Sequence, residues 1–496
     1  MNPIKDVVIV GGGTAGLIAA LYVKRYFPQF NVKIVKSSEL GIVGVGEGST
    51  EHWKMFMDDV NINPIELINE TKATVKIGIL FKNWNYPGST YIHSILTPSS
   101  FISHQGIVEI YNRLILNNSS KNPFILNNQF EDIYYQNKVS LSQNLLPSNQ
   151  FHFDTFKLNQ YLIKKCLERE ILVKDFYIQD VNLNEKGYID SLITSTNTLI
   201  KGDFFIDCSG FKKILISKLG ARWKSYQDYL PMNRAITFST DLNLQKNIEP
   251  YTLTTALSSG WTWKIPTQER YGNGYVFSDN YINPDEALKE FNQHLGTNTE
   301  KVTKDIKFEA GKVDKFWIKN CIGIGLAGSF AEPLEAQSIG FSIIQSKLLT
   351  ESINSWMYNP LNICNKFNKT LDGIFDNIID YVQLHYLTQR KDSKFWKDKP
   401  FKLTEFNKNT IPNFALGIFS PFDFPQHAMF KHLNFYQVYY GLDLLNISKI
   451  KFQQLNSFKE YKQEWDGIYN ETINNPKPYN ISHIDYLKLI KENYSS

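Results

Sequence analysis

Gly11, Gly13 and Gly16 stand at the spacing G-x-G-x-x-G, with Thr14 and Ala15 inside the turn. Glycines so placed let a backbone turn tightly, approach a pyrophosphate and open a helix whose first N–H groups hold phosphate. Three other groups of side chains could do chemistry. Lys76 sits among Val75, Ile77, Ile79 and Leu80; burial in such company lowers an ammonium's pKa and yields free amine, whereas a head that snorkels to water stays a plain surface charge. Trp261 and Trp263 are two residues apart, so in an extended segment both indoles face one side as a double wall, with Pro266 ending the ladder. Two tryptophans packed in a core would share that spacing. Glu335 follows Pro333-Leu334 in an apolar stretch, which suits a carboxyl of raised pKa or a cap of the next helix.

The glycine turn needs a strand before it and a helix after it. Both are legible: Asp6 to Val10 reads as a strand, Leu17 to Tyr22 as a helix and Val32 to Val35 as a second strand, a βαβ start within about thirty residues. The acid that binds ribose hydroxyls from the end of the second strand is missing, since that strand ends at Lys36-Ser37-Ser38; the adenosine half of a dinucleotide would be held differently or less tightly. Phe151-His152-Phe153-Asp154 leads into an amphipathic helix carrying Phe156, Leu158, Tyr161, Leu162 and Cys166. Later strands end at Asp207-Cys208-Ser209-Gly210-Phe211, where the backbone around Ser209 can approach a ligand. Residues 113–150 are rich in Asn and Gln and read as an insertion or cap, while helical periodicity dominates from residue 341 onward. His93 suits either a pocket wall or simple packing, His385 reads as a core histidine, and Arg390 to Lys399 as a solvated turn.

A chain of 496 residues buries a large core without staples. Its 53 Lys and Arg against 49 Asp and Glu leave a net charge of +4, too small and too dispersed to suggest a nucleic-acid or membrane-surface partner. A hydrophobic fraction of 42% with 21% charged residues excludes disorder as the main theme. Cys166, Cys208, Cys321 and Cys364 lie far apart with no C-x-x-C pair, so neither a metal site nor a disulfide framework is expected and a reducing cytoplasm fits best. No secretory signal or apolar run long enough to span a membrane is evident.

Four further segments carry a resemblance. Gly44-Val45-Gly46-Glu47-Gly48-Ser49-Thr50 resembles a GVGEAT or GVGEGT flavin loop, and Thr74 to Trp84 is similar to T-F-K-x-x-I-x-F-x-N-W. Gly260-Trp261-Thr262-Trp263-Lys264-Ile265-Pro266 matches G-W-x-W-x-I-P without a gap, and Glu332-Pro333-Leu334-Glu335-Ala336-Gln337-Ser338-Ile339 looks like E-P-L-E-[SA]-x-x-I. Their order and spacing resemble the flavin-dependent halogenases related to the tryptophan halogenases, over roughly residues 1 to 400. The Gly-Asp pair usual in flavin monooxygenases of this fold is absent from Gly323-Ile324-Gly325-Leu326-Ala327-Gly328.

The resemblance implies an α/β protein with an FAD-binding, glutathione-reductase-like fold, a mixed strand and helix substrate region, and a mainly helical C-terminal part. The expected division is a core over residues 1–340, with insertions near 85–200 and 230–310, followed by a C-terminal region over 341–496. FAD would be held by Gly11, Gly13, Thr14, Ala15, Gly16, Val45, Gly46, Glu47, Ser209, Leu326 and Ile339, and halide by Gln337 and Ser338. The family's roles fall on Lys76, which holds hypohalous acid or carries a haloamine, on Glu335 nearby as its catalytic partner, and on Trp261 and Trp263 as the wall between flavin and substrate, with His93 near the substrate lining. Where tryptophan halogenases have Ser-Thr-Gly this chain has Ala336-Gln337-Ser338, so bromide or iodide could replace chloride. A separate flavin reductase would deliver FADH2, and a small indole, phenol or heteroaromatic would be the substrate. The competing readings are a flavin-dependent aromatic hydroxylase or epoxidase of the same fold and a non-catalytic binding module built on it.

Overall fold

The computed structural model describes residues 4–41, 44, 46–95, 112, 115–116, 131–140, 148, 150–242, 247–300, 302–420, 422–455, 467 and 480–495. The chain forms two compact units, each assembled from three separate segments. One comprises residues 1–73, 153–227 and 309–376, the other residues 74–152, 228–308 and 377–496.

The first unit is built on a six-stranded sheet in the order Trp317–Ile318, Cys321–Gly323, Phe204–Asp207, Asp6–Val10, Asn31–Lys36, Leu172–Asp175. All neighbours run parallel except the hairpin at 317–323. A parallel sheet is covered on both faces, so its strands read as continuous apolar runs. Asp-Val-Val-Ile-Val at 6–10 is such a run, with every residue after Asp6 buried. Helix Thr14–Tyr26 packs against helices Thr155–Leu167 and Gln337–Tyr358. Asp154 caps helix Thr155–Leu167, its Oδ1 accepting from Phe156 N and Lys157 N at 3.0 and 3.1 Å, the bonds that satisfy otherwise orphaned N–H groups at a helix start.

The second unit centres on a seven-stranded sheet in the order Lys304–Lys307, Arg234–Asp241, Arg270–Phe277, Gly260–Pro266, Thr252–Ala256, Gly78–Lys82, Thr90–Ser94. It is antiparallel apart from the 78–82 and 252–256 pair. Ile236, Phe238, Tyr275 and Phe277 project from it onto Ala287 and Phe291 of helix Pro284–Leu295. The C-terminal part is helical as expected, with Lys394–Asp398, Glu405–Phe414, His432–Gly441, Ile447–Leu455 and His483–Ser495.

The segment Thr74 to Trp84 contains two short strands in different sheets. Thr74–Lys76 pairs with residues 150–152, whereas Gly78–Lys82 joins the seven-stranded sheet. Ile77 makes the switch, its N–H donating to Pro250 O at 2.8 Å. Arg390 also departs from the solvated turn expected of its charge run. Its side chain is buried, donates to Asp392 and to Asn83 O, and lies 5.0 Å from the centroid of Trp396. A guanidinium tolerates that setting because its planar face stacks while its edge hydrogen-bonds.

Candidate active site

The glycine turn of the first unit is shaped by close approach. Gly11 has φ +121°, and a Cβ there would lie 2.1 Å from Cys208 O; a Cβ on Gly16 would lie 2.0 Å from Gly11 O. Gly13 is different: it starts the helix at φ −77° with no side-chain cap, and nothing stands within 4 Å of its Cβ position. The first two glycines are needed by the protein itself, whereas the third leaves open space in front of uncapped N–H groups. Thr14 and Ala15 are half-buried beside it. Asn159 Nδ2 donates to Gly12 O at 2.6 Å and ties the turn to helix Thr155–Leu167.

At the end of the second strand, Lys36 is spent on Asp175, Nζ to Oδ2 3.0 Å, and Ser38 N donates to the other carboxylate oxygen at 3.0 Å. Asp175 stands in register with Lys36 on the neighbouring strand. Ser209, in the expected cofactor set, donates both N–H and hydroxyl to Asp207 Oδ1, and its oxygen accepts from Ile214 N at 2.9 Å. Leu326 is half-buried in the turn Gly325–Ala327, and Ile339 is buried in the first turns of helix Gln337–Tyr358.

Val45 lies outside the described residues; Gly46 and Glu47 are half-buried. Glu47 Oε2 is shut off from solvent with no hydrogen-bond partner among the described residues, and burial pushes its pKa up to about 7. Gly44, at φ +131°, makes room for this carboxyl, since a Cβ there would lie 3.0 Å from Glu47 Oε1 and 2.9 Å from Thr155 Oγ1.

Glu335 is buried and, with Ala336, occupies the left-handed region, φ +67° and +55°. Two successive non-glycine residues there store strain of about 1–3 kcal/mol each. The next helix starts at Ala336, which has no capping side chain of its own. Gln337 Nε2 donates to Glu332 O at 2.7 Å, and half-buried Ser338 accepts at its carbonyl from Ser342 Oγ.

In the second unit, Lys76 is only 2% exposed, which excludes a head snorkelling to solvent. Its carbonyl accepts from Ser148 Oγ at 2.6 Å. Trp261 is fully buried, donates Nε1–H to Tyr386 hydroxyl at 3.1 Å and lies among Trp84 and Tyr386. Trp263 is half-buried, its ring centroid 6.0 Å from that of Trp261. It folds over Gly274, its partner in register, where a Cβ would lie 2.1 Å from the indole. Pro266 is the last residue of their strand. The ring nitrogens of His93 are both occupied, Nδ1 with Tyr381 hydroxyl at 3.1 Å and Nε2 with Asn434 Nδ2 at 3.0 Å. His385 is a core histidine, bonded through Nδ1 to Tyr381 O.

Residues 6–454 match the family model described as tryptophan halogenase. The chain belongs to the tryptophan halogenase family. It is 29% identical over 424 residues to the tryptophan 6-halogenase SttH of Streptomyces toxytricini, covering 80% of this chain and 81% of that one. With the tryptophan 7-halogenase RebH of Lentzea aerocolonigenes the identity is 28%, over 84% and 82% of the two chains. The solved structure of BrvH, a flavin-dependent halogenase from Brevundimonas sp. BAL3, superposes with a TM-score of 0.81 at 26% identity, over 98% of this chain and 99% of that one. This halogenase therefore uses FADH2 and halide and acts on an aromatic compound. The glycine turn fits that cofactor: the open cradle at Gly13 is where a Cβ would meet a pyrophosphate.

Several residues of the halogenase escaped the sequence reading. Asp207, fully buried, takes Ser209 and the N–H groups of Leu215 and Ile216 at 2.7 and 2.9 Å, while burial raises its pKa. The small-residue turn after it was the visible signal. Asn159, Asp175, His152 and His483 left none, because their partners are remote in the chain.

Proposed function

We propose that this halogenase modifies a small electron-rich aromatic, an indole, a phenol or a heteroaromatic, and is not restricted to free tryptophan. Reduced FAD, when bound, supplies with dioxygen the oxidising equivalents that turn halide into hypohalous acid. Lys76 holds the electrophilic halogen, by donating a hydrogen bond to hypohalous acid or as a haloamine formed with release of water. Glu335 polarises that donor or stabilises the cation formed as the ring attacks. Trp261 and Trp263 wall off the substrate on the side of their strand, and His93, its ring orientation fixed by Tyr381 and Asn434, contributes to the lining. The observation that carries this reading is the burial of Lys76 at 2% exposure, which keeps its side chain out of solvent.

Gln337 and Ser338 make the halide site, and bromide or iodide is used at least as well as chloride. Heavier halides lose less on dehydration and are oxidised more readily. The strained Glu335-Ala336 entry, with Gln337 turned back on Glu332 O, supports a halide loop of different shape from Ser-Thr-Gly. For FAD, the Gly11 to Gly16 turn takes the pyrophosphate, the loop at Val45, Gly46 and Glu47 together with Ser209, Leu326 and Ile339 takes the rest, and Asp175 brings to the ribose the carboxylate that the second strand lacks. A separate reductase supplies FADH2; the sequence offers one G-x-G-x-x-G turn in a βαβ context, and FAD takes it. Four unpaired cysteines suit a cytoplasmic setting.

The test is mass spectrometry of an aromatic panel incubated with the protein, a flavin reductase, FAD and equimolar chloride, bromide and iodide. A mass shift of one heavy halogen on an indole, phenol or heteroaromatic is expected. Product from free tryptophan alone would overturn the substrate reading, a preference for chloride the halide reading, and turnover on NAD(P)H without the reductase the two-component reading.

A further inference from the structure

The strand bearing Lys76 is three residues long, too short to be fixed by ladder bonds alone. Two buried histidines hold it. His483, at the start of the C-terminal helix, accepts Val75 N–H at Nε2, 3.1 Å, and donates from Nδ1 to Ile248 O, 3.1 Å. His152, directly across from Thr74, bonds through Nδ1 to Thr74 Oγ1 at 3.1 Å and through Nε2 to Thr252 Oγ1 at 2.9 Å.

The partners fix the protons. A carbonyl only accepts and an amide N–H only donates, so His483 must carry its proton on Nδ1 and keep a lone pair on Nε2. Thr74 gives its single hydroxyl proton to Pro266 O at 2.7 Å. Its oxygen can then only accept from His152, which also carries its proton on Nδ1 and accepts from Thr252. Burial keeps both rings neutral, His483 down to about 4 and His152 well below the usual range, the Lys76 charge adding to the latter. With every ring nitrogen committed, neither histidine is a proton carrier. The chain Thr252, His152, Thr74, Pro266 instead ties the lysine strand to the end of the tryptophan strand.

We infer that His152 and His483 are positioning residues for Lys76, clamping the short strand that carries its amine, and that the C-terminal segment 480–495 is thereby part of the catalytic apparatus. The inference rests on Lys76 holding the electrophilic halogen. Substitution of His483 by leucine leaves Val75 N–H without its acceptor and lets Lys76 drift. A 1 Å displacement of a reacting group costs about 10²-fold in kcat.

The experiment compares wild type, His483→Leu, His483→Asn, His483→Gln, His152→Leu and Lys76→Ala, each with FAD and a reductase. The readouts are kcat and KM for an aromatic substrate, FAD affinity, and halogenation of a chlorodimedone scavenger that reports hypohalous acid. The leucine variants and His483→Asn, whose arm is too short for Val75, are expected to lose about 10²-fold in kcat, with KM, FAD affinity and scavenger halogenation unchanged. His483→Gln, which sets an acceptor near the Nε2 position, is expected to recover most of that loss. Wild-type kcat in His483→Asn or His483→Leu overturns the inference. A parallel fall in FAD affinity and scavenger halogenation marks a general structural role and overturns it too. Wild-type halogenation by Lys76→Ala would instead refute the lysine reading beneath it.

Discussion

Replacing Gly13 separates cofactor binding from folding, because the three glycines of the turn have different surroundings. At Gly13 the backbone is in ordinary territory at φ −77° and no atom lies within 4 Å of the added Cβ. Loss of a favourable helix-start residue is the main folding cost, about 1 kcal/mol. In the complex the new methyl occupies phosphate space, and losing one charge-assisted hydrogen bond to the pyrophosphate, about 1.5–3 kcal/mol, weakens binding by about 10- to 100-fold. Gly11 reverses the pattern. Its φ of +121° and the 2.1 Å approach of Cys208 O make Gly11→Ala costly to the fold, about 1–3 kcal/mol for the backbone and a similar amount for overpacking. Quenching of FAD fluorescence gives affinity, and urea denaturation of the protein without FAD gives stability. Gly13→Val binding FAD like wild type, or Gly11→Ala as stable as wild type, would refute the reasoning.

Lys76→Ala is expected to abolish halogenated arene while FAD affinity and FADH2 reoxidation persist, checked by product mass and stopped-flow absorbance. Glu47, whose pKa rises from 4.5 to about 7 on folding, retains a proton that the unfolded chain has lost. Its favourable term is therefore fully present below pH 4.5 and lost as pH rises through 7; Glu47→Gln should remove that slope, worth at most about 3 kcal/mol, in denaturation curves between pH 4.5 and 8. Trp263→Ala should lower product per FADH2 consumed, and Gly274→Ala, whose Cβ would strike the indole, should reproduce part of that loss in the same assay. Asp175→Ala should weaken FAD in the quenching titration and lower the stability of the FAD-free protein only slightly, because its bonds to Lys36 and Ser38 are solvent-exposed.

What was legible from sequence is what short stretches of chain dictate. Gly11, Gly13 and Gly16 constrain one another within six residues, and the C-terminal helices advertise their period. The run around Lys76 shows its apolar company but not its division between two sheets. The change of sheet at Ile77 depends on Pro250 O, which no local pattern announces. His483 meets Val75 across 408 positions and Asp175 meets Lys36 across 139, so their parts emerge only once the chain has folded. Arg390 shows the converse: a charge run reads as solvated until an aromatic face and a backbone carbonyl prove to be its partners.

The threading of each unit through three stretches of chain bears on how the polypeptide reaches its native state. Strand Asp6–Val10 emerges early in synthesis, yet one of its two neighbours, Phe204–Asp207, follows roughly 200 residues later, a wait of about 10–40 s at ribosomal elongation rates. During that interval one edge of an apolar strand is unpaired and open to wrong partners. Loop closure over such spans makes the assembled sheet slow to nucleate. No contiguous fragment consists of one unit alone, so expression trials gain more from chaperone supply and lower temperature than from trimming the chain to a domain.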